Sequence, residues 1–75
     1  MDRQDIYDLI NRERHKQTDL YGNQMDKSNG RWLPVLVSEV GEVADNLSKN
    51  IDQELLKHDL VQVAAVAIAW LEAKF

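Results

Sequence analysis

The last third of the chain contains a segment that is apolar on nearly every side of a helix. From Leu60 to Leu71 the single polar residue is Gln62. A helix turns by about 100° per residue, so this run has no polar face for water and must be surrounded by other elements. A chain of 75 residues offers too few other helices to surround it. We therefore expect this helix to pack against its own copy in a homodimer or homotetramer.

The apolar periodicity predicts three helices, over about residues 2–20, 28–49 and 52–74, in a single domain covering residues 1–75. Ser28 or Asn29 is placed to cap the second helix, and Pro34 is expected near its first turn. Gly22 and Asn50 are expected to end the first and second helices. Strand patterns are absent from the sequence. The predicted fold is all-α, a three-helix chain that assembles into a homo-oligomeric four-helix-type bundle.

Composition narrows the classes of function. The chain has no cysteine, so disulfides and thiolate zinc sites are excluded. Its net charge of -4 and scattered basic residues argue against binding a nucleic-acid polymer. The longest apolar run is shorter than the ~20 residues that a bilayer requires, and the polar N-terminus does not look like a signal peptide. We expect a cytoplasmic protein that does not bind membranes.

The second helix is predicted to have one core-facing side. Glu39 lies at the border of the core stripe, and Glu42 and Asn46 project from the neighbouring side. Because residues three apart on a helix point the same way, Glu39 and Glu42 can share one divalent cation. The residues expected in the core stripe itself are Leu33, Leu36, Val37, Val40, Val43, Ala44 and Leu47.

The third helix supplies polar groups that can face this pair. Asp59 and Gln62 stand in an otherwise apolar stripe, where an unbonded polar group costs about 1–3 kcal/mol. A metal ion held jointly with Glu39 and Glu42 would compensate for that cost. The oxygen donors favour Mg²⁺, with Mn²⁺ as an alternative, and we predict Glu39, Glu42, Asp59 and Gln62 as the metal site.

Two segments resemble the MazG-like, all-α nucleoside triphosphate pyrophosphohydrolases. The stretch Trp32-Leu-Pro-Val-Leu-Val-Ser-Glu-Val-Gly-Glu-Val-Ala-Asp-Asn-Leu is similar to the metal-binding helix of that family. The stretch Asp59-Leu-Val-Gln-Val-Ala-Ala-Val-Ala-Ile-Ala-Trp-Leu-Glu is similar to its second motif helix, in the short phage or cassette-type version. Upstream, Glu13-Arg-x-x-x-Gln17 followed by Tyr21-Gly22 resembles the end of the first helix.

The resemblance implies Mg²⁺-dependent cleavage of a nucleoside triphosphate between its α and β phosphates. In the family motif, Glu-x-x-Glu is followed by a spacer and Glu-x-x-Asp. Glu39 and Glu42 match the first half and become the expected catalytic residues. Asp59 stands where the second Glu-x-x-Asp has its Glu, and the neutral Gln62 stands where it has its Asp.

Weaker substrate-binding candidates surround this site. Tyr21 resembles a family position that stacks on a base, and Arg14 could meet phosphates. Asn46 is close enough to Glu42 to join the site. Trp32 is better explained by packing at the core edge. Packing at an oligomer interface is expected for Trp70, and His58 is expected to form a surface pair with Glu54.

Two alternatives to the enzyme remain open. The altered second motif also fits a catalytically degenerate protein that binds nucleotides without hydrolysing them. The apolar third helix also fits a purely structural helical dimerisation or adaptor module.

Overall fold

The computed structural model describes residues 1–50 and 52–75. Three helices, α1 (Arg3–Tyr21), α2 (Asn29–Ser48) and α3 (Gln53–Lys74), make up nearly all of this part of the chain, which contains no strand. The prediction of an all-α fold with three helices is confirmed. None of the helices among these residues has the length and apolarity needed to cross a bilayer.

The helix ends follow the expected capping chemistry. The Asp2 side chain accepts a hydrogen bond from the Asp5 backbone N–H, and the Asp52 side chain accepts one from Glu54. Gly22 ends α1 with a φ of 72°, in the left-handed region that glycine occupies without a steric penalty. These residues satisfy backbone groups that a helix end leaves without partners.

The start of α2 differs from the prediction in one respect. Ser28 is the N-cap residue, as expected, but Pro34 is the sixth residue of the helix and lies in its second turn. Pro34 therefore lies about two residues beyond the first turn, near which it was expected. Its ring leaves the carbonyl of Gly30 without an N–H donor, and Gly30 is exposed, so water can bond there instead.

The α3 helix is the centre of the fold, because α1 and α2 each pack against it and, in the described part of the chain, not against each other. The core is a small cluster in which Trp32 of α2 meets Val66 and Ala69 of α3. Trp70 donates a hydrogen bond from Nε1 to Asn29 Oδ1 at 2.7 Å. These contacts place the start of α2 beside the end of α3, so the two helices are antiparallel.

The predicted core stripe of α2 was mostly wrong. Leu36 and Val43 are half-buried, but the other five residues are exposed, and they are Leu33, Val37, Val40, Ala44 and Leu47. The physical reason is that α2 has only one neighbour in the chain. The side of α2 that packs on α3 carries Trp32, Glu39 and Asn46. This side is rotated by about 110° around the helix axis from the exposed row.

Candidate functional site

An open cleft of about 800 Å³ lies between α1 and α2, with α3 as its floor. It exists because both outer helices rest on α3 without touching one another. The polar second half of α1 forms one wall, and the loop that leads to α2 closes one end. The residues that line it include Glu13, Arg14, Gln17, Tyr21, Lys27, Trp32, Val35, Glu39, His58, Gln62, Val66 and Ala69.

Glu39 stands in the α2 wall of the cleft and is half-buried. Partial burial raises the pKa of its carboxyl above the ordinary value, and the negative charge of Glu42 raises that pKa further. Asp59 and Glu13 act in the same direction, whereas His58 partly opposes them. Carboxylates from all three helices thus contribute to one region of negative potential around Glu39.

Asp59 lies on the side of α3 that faces α2 and is 6% exposed. Its carboxylate accepts a hydrogen bond from the side-chain amide of Asn46 on α2. Asp59 is thus a buried polar residue in an apolar stripe, and a specific hydrogen-bond donor compensates the cost of burying its carboxylate. In this structure the compensating group is Asn46, a residue that the sequence placed near Glu42.

Gln62 is held in one orientation by a chain of hydrogen bonds that starts at Arg14. Arginine can only donate, and Arg14 donates to Gln17 Oε1 at 3.0 Å. Gln17 then donates from Nε2 to Gln62 Oε1 at 3.0 Å, and Gln62 donates from Nε2 to the carboxylate of Glu13. The carbonyl oxygen of Gln62 is therefore engaged by Gln17, and its N–H group is directed at Glu13.

This network contains two residues that the sequence prediction did not include in the site, Glu13 and Gln17. They are four residues apart and therefore share a face of α1. The Glu13-x-x-x-Gln17 spacing was the available signal. The network also gives Gln62 a physical role, because an aspartate at that position would place a second carboxylate against Glu13.

The other predicted residues are spread around the cleft. Glu42 is exposed and does not line it, although its charge acts on Glu39. Tyr21 lines the cleft beside the loop that leads to α2 and is exposed. Arg14 forms an ion pair with Glu72 at 3.0 Å in addition to its bond to Gln17, so part of its donor capacity is already used within the chain.

Trp32 is both a core residue and part of the cleft wall. It is 4% exposed, and its buried Nε1 has no hydrogen-bond partner in the part of the chain described by the structure. Lys27 of the loop before α2 lies over the indole ring, 4.5 Å from its centroid. Such a cation–π contact is worth about 0.5–2 kcal/mol, depending on its exposure.

One expectation about a neighbouring residue requires correction. Glu54 forms its ion pair with Lys57 at 3.1 Å, and not with His58. His58 instead lines the cleft, where its Nε2 lies 3.4 Å from Gln62 Nε2. Trp70 packs against the core cluster of the chain itself, and its place at an oligomer interface stays a prediction.

Within residues 1–50 and 52–75, no three Asp, Glu or His side chains stand close enough together to form a ready metal-binding group. The donor chemistry nevertheless fits a hard divalent cation. All the nearby acidic groups are oxygen ligands, and the pKa of Glu39 is raised first by burial and then by repulsion from Glu42 and Asp59, which a cation would relieve. Side-chain rotations of the exposed Glu42 and the half-buried Glu39 would be needed to close such a site.

Comparisons with known proteins give no relative for this chain. No family model matches its sequence, no curated protein matches it, and no solved structure matches its fold. The MazG-like resemblance therefore rests on the motif residues of the sequence.

Proposed function

We propose that this protein is a Mg²⁺-dependent nucleoside triphosphate pyrophosphohydrolase, which converts a nucleoside triphosphate and water into a nucleoside monophosphate and pyrophosphate. The observation that carries the proposal is that carboxylates from three helices act on one point of the cleft: Glu13 and Glu39 line it, and the charges of Glu13 and of the buried Asp59 both raise the pKa of Glu39. A triphosphate cannot approach such a negative region unaided. A divalent cation between the two partners makes the approach favourable.

Glu39, Glu42 and Asp59 would hold the cation. When bound, Mg²⁺ supplies charge neutralisation to the phosphate oxygens. A carboxylate of Glu39 or Glu42 accepts a proton from the attacking water. A bond from the water oxygen to phosphorus forms, the bond from phosphorus to the bridging oxygen breaks, and that oxygen keeps the electron pair.

The structure modifies the role expected for Gln62. From the sequence, Gln62 could be either a neutral metal ligand or a residue that contacts and positions the ligands without binding the metal itself. Because its carbonyl accepts from Gln17 and its amide donates to Glu13, the second role is favoured. Gln62 would then position the carboxylate of Glu13 and partly compensate its charge.

The rest of the cleft suits a nucleotide in size and in chemistry. Its volume of about 800 Å³ falls in the range of small-molecule sites, which is roughly 300–1,000 Å³. Lys16 and Lys27 supply positive charge in its lining, and Tyr21 offers an exposed ring beside the loop that leads to α2.

A second candidate function is nucleotide binding without hydrolysis. The observation that favours it is that Asp59 and Gln62 are already engaged by Asn46, Gln17 and Glu13. A metal ion would have to compete with these contacts for both residues of the second motif.

The decisive experiment measures pyrophosphate release from a panel of common, deoxy and damaged nucleoside triphosphates with Mg²⁺. Glu42→Gln is the informative variant, because Glu42 is exposed and its loss should leave the fold intact. We expect release by the wild-type protein and a loss of about 100-fold in Glu42→Gln. Glu54→Gln makes the same charge change outside the cleft and should retain activity.

The other outcomes separate the alternatives. No release above the Glu42→Gln level would exclude the enzyme. Calorimetric binding of a nucleotide without turnover would then support the degenerate nucleotide-binding protein. If neither Mg²⁺ nor nucleotide raises the melting temperature, the purely structural module is favoured, because any ligand that binds only the folded state must raise it.

A further inference from the structure

The hydrogen-bonded chain that ends at Glu13 has a fixed direction. It begins at Arg14, whose guanidinium can only donate, and it ends at the carboxylate of Glu13, which can only accept. The two amides between them, Gln17 and Gln62, each accept on one side and donate on the other. Reversing either amide would set two donors or two acceptors against each other. The N–H group of Gln62 is therefore directed at Glu13.

Both polar atoms of the Gln62 side chain are engaged by neighbours. Its Oε1 accepts from Gln17, and its Nε2 donates to Glu13 and lies 3.4 Å from Nε2 of His58. A cation could bind only at the oxygen, which carries no net charge and already accepts a hydrogen bond. Of the two polar residues in the α3 stripe, only Asp59 brings a negative charge to the site.

Glu13 is a half-buried carboxylate in the α1 wall of the cleft. None of the ion pairs within residues 1–50 and 52–75 includes it, because the neighbouring Arg14 is held by Glu72 and Gln17 instead. Gln62 donates to one of its two oxygens, and no other group of the described residues donates to it. A neutral amide leaves the carboxylate its charge. Partial burial of that charge is unfavourable unless a cation meets the second oxygen.

We infer that Glu13 is a further ligand of the divalent cation in this cleft, and that Gln62 is the residue that positions it. This role rests on the proposed function, since it belongs to the same site. Glu13 and Glu39 line the cleft from its α1 and α2 walls. Carboxylates that bind metals are usually held by hydrogen bonds from neighbouring groups. Glu13 has such a bond on one oxygen and leaves the other for the cation.

The assignment gives metal binding an effect on the helices that can be measured. In the described part of the chain, α1 and α2 both rest on α3 and do not touch each other. A cation bound by Glu13, Glu39 and Asp59 would join all three helices across the cleft. If Glu39, Glu42 and Asp59 were its only protein ligands, α1 would gain no contact from it. The response of α1 to the metal therefore distinguishes the two ligand sets.

The first test measures the affinity for Mn²⁺ alone, without nucleotide, from the EPR signal of the free ion. Glu13→Gln removes one charge but keeps an oxygen that can accept from Gln62, so the hydrogen-bonded chain is retained. We expect a dissociation constant about 100-fold above that of the wild type. The matched control is Asp19→Asn, the same loss of charge on the same helix and in the cleft lining, with a change below about 3-fold.

Two further variants separate a ligand from a distant charge and a positioning role from a structural one. Glu13→Asp keeps the charge but shortens its reach by one methylene, and it should weaken Mn²⁺ binding by about 10-fold. A group that acted only through its charge would tolerate this change. Gln62→Met removes the donor and should also cost about 10-fold. In the Glu13→Gln background it should cost nothing more, because Gln62 acts through Glu13.

Hydrogen exchange followed by mass spectrometry tests the response of α1. Mg²⁺ should slow amide exchange in the second half of α1 in the wild type but not in Glu13→Gln, since only the wild type ties α1 to the cation. Circular dichroism of each variant without metal checks that the helices are intact.

The outcomes separate this role from the proposed function. Mn²⁺ binding that Glu42→Gln weakens and Glu13→Gln does not, or an α1 that Mg²⁺ leaves unprotected, would overturn the role of Glu13 and leave the proposed function standing. Full additivity of Gln62→Met and Glu13→Gln would overturn the positioning role of Gln62. Binding that depends on Glu13, without pyrophosphate release, would support the ligand and exclude the enzyme. A wild-type protein that binds no Mn²⁺ at millimolar concentrations would overturn both.

Discussion

The α2–α3 pair has two sides of opposite chemical character. On the cleft side, polar groups from the three helices bond to one another, as Asn46 does with Asp59 and Gln17 with Gln62. On the outer side, α2 carries a row of apolar residues that are exposed in the described part of the chain, and this outer row consists of Leu33, Val37, Val40, Ala44 and Leu47. Polar groups near a small core require specific partners, and one chain can supply them. Apolar rows require only area, which a 75-residue chain lacks.

The difference extends to residues that are neighbours in sequence. Trp32 is buried and Leu33 is exposed, and Glu39 lines the cleft while Val40 lies on the outer row. One step along a helix is a rotation of about 100°, which is enough to move a side chain from one face to the other. Substitutions at such neighbouring pairs can therefore test the two sides separately.

The largest effect is expected at Trp32. Trp32→Ala should destabilise the protein by about 3–5 kcal/mol, because it removes the largest side chain of the core cluster. Leu33→Ala, one residue away on the outer row, should cost about 0.5 kcal/mol, because Leu33 is exposed. Urea denaturation of both variants at the same protein concentration measures the difference. Equal losses would contradict the assignment of these residues to different faces.

A smaller effect is expected where Asn46 bonds to Asp59. Asn46→Ala should cost about 1–3 kcal/mol, because it leaves the buried carboxylate without its donor. If Asp59 is a metal ligand, millimolar Mg²⁺ should then raise the melting temperature of this variant more than that of the wild type. Gln4→Ala removes an exposed amide–carboxylate bond and serves as the control, with a loss near zero.

The smallest effect concerns the charge of Glu39. The pKa of Glu39 is raised in the folded protein, so folding favours its protonated form. The resulting contribution to the free energy of unfolding is fully present below the ordinary pKa of 4.5, and it is lost as pH rises through the raised pKa. Glu39→Gln should therefore stabilise the protein at pH 7 by a few tenths of a kcal/mol, or roughly 1–3 °C, without metal.

That gain should shrink at pH 4, where the wild-type carboxyl is largely protonated. Thermal melts at the two pH values, with Glu54→Gln as an exposed control, provide the measurement. An equal gain at both pH values would show that the charge of Glu39 is not its source.

The sequence by itself determined the helices and their ends. Asp2, Gly22 and Asp52 cap or end helices through local backbone chemistry, which is independent of what packs nearby. The polar Asp59 within an apolar stripe was also readable, because burial of the stripe implied a partner for the carboxylate. Local propensities and periodicity carry this information directly.

Only the tertiary structure decided which side of each helix faces which neighbour. The α2 helix is apolar on two sides, and a helical wheel cannot tell which of them meets α3. Because the Trp32 side packs on α3, the row from Leu33 to Leu47 is exposed and Asn46 contacts Asp59. Glu13 and Gln17 belong to the site for the same reason, because contacts between residues that are dozens of positions apart in the sequence depend on how the helices pack.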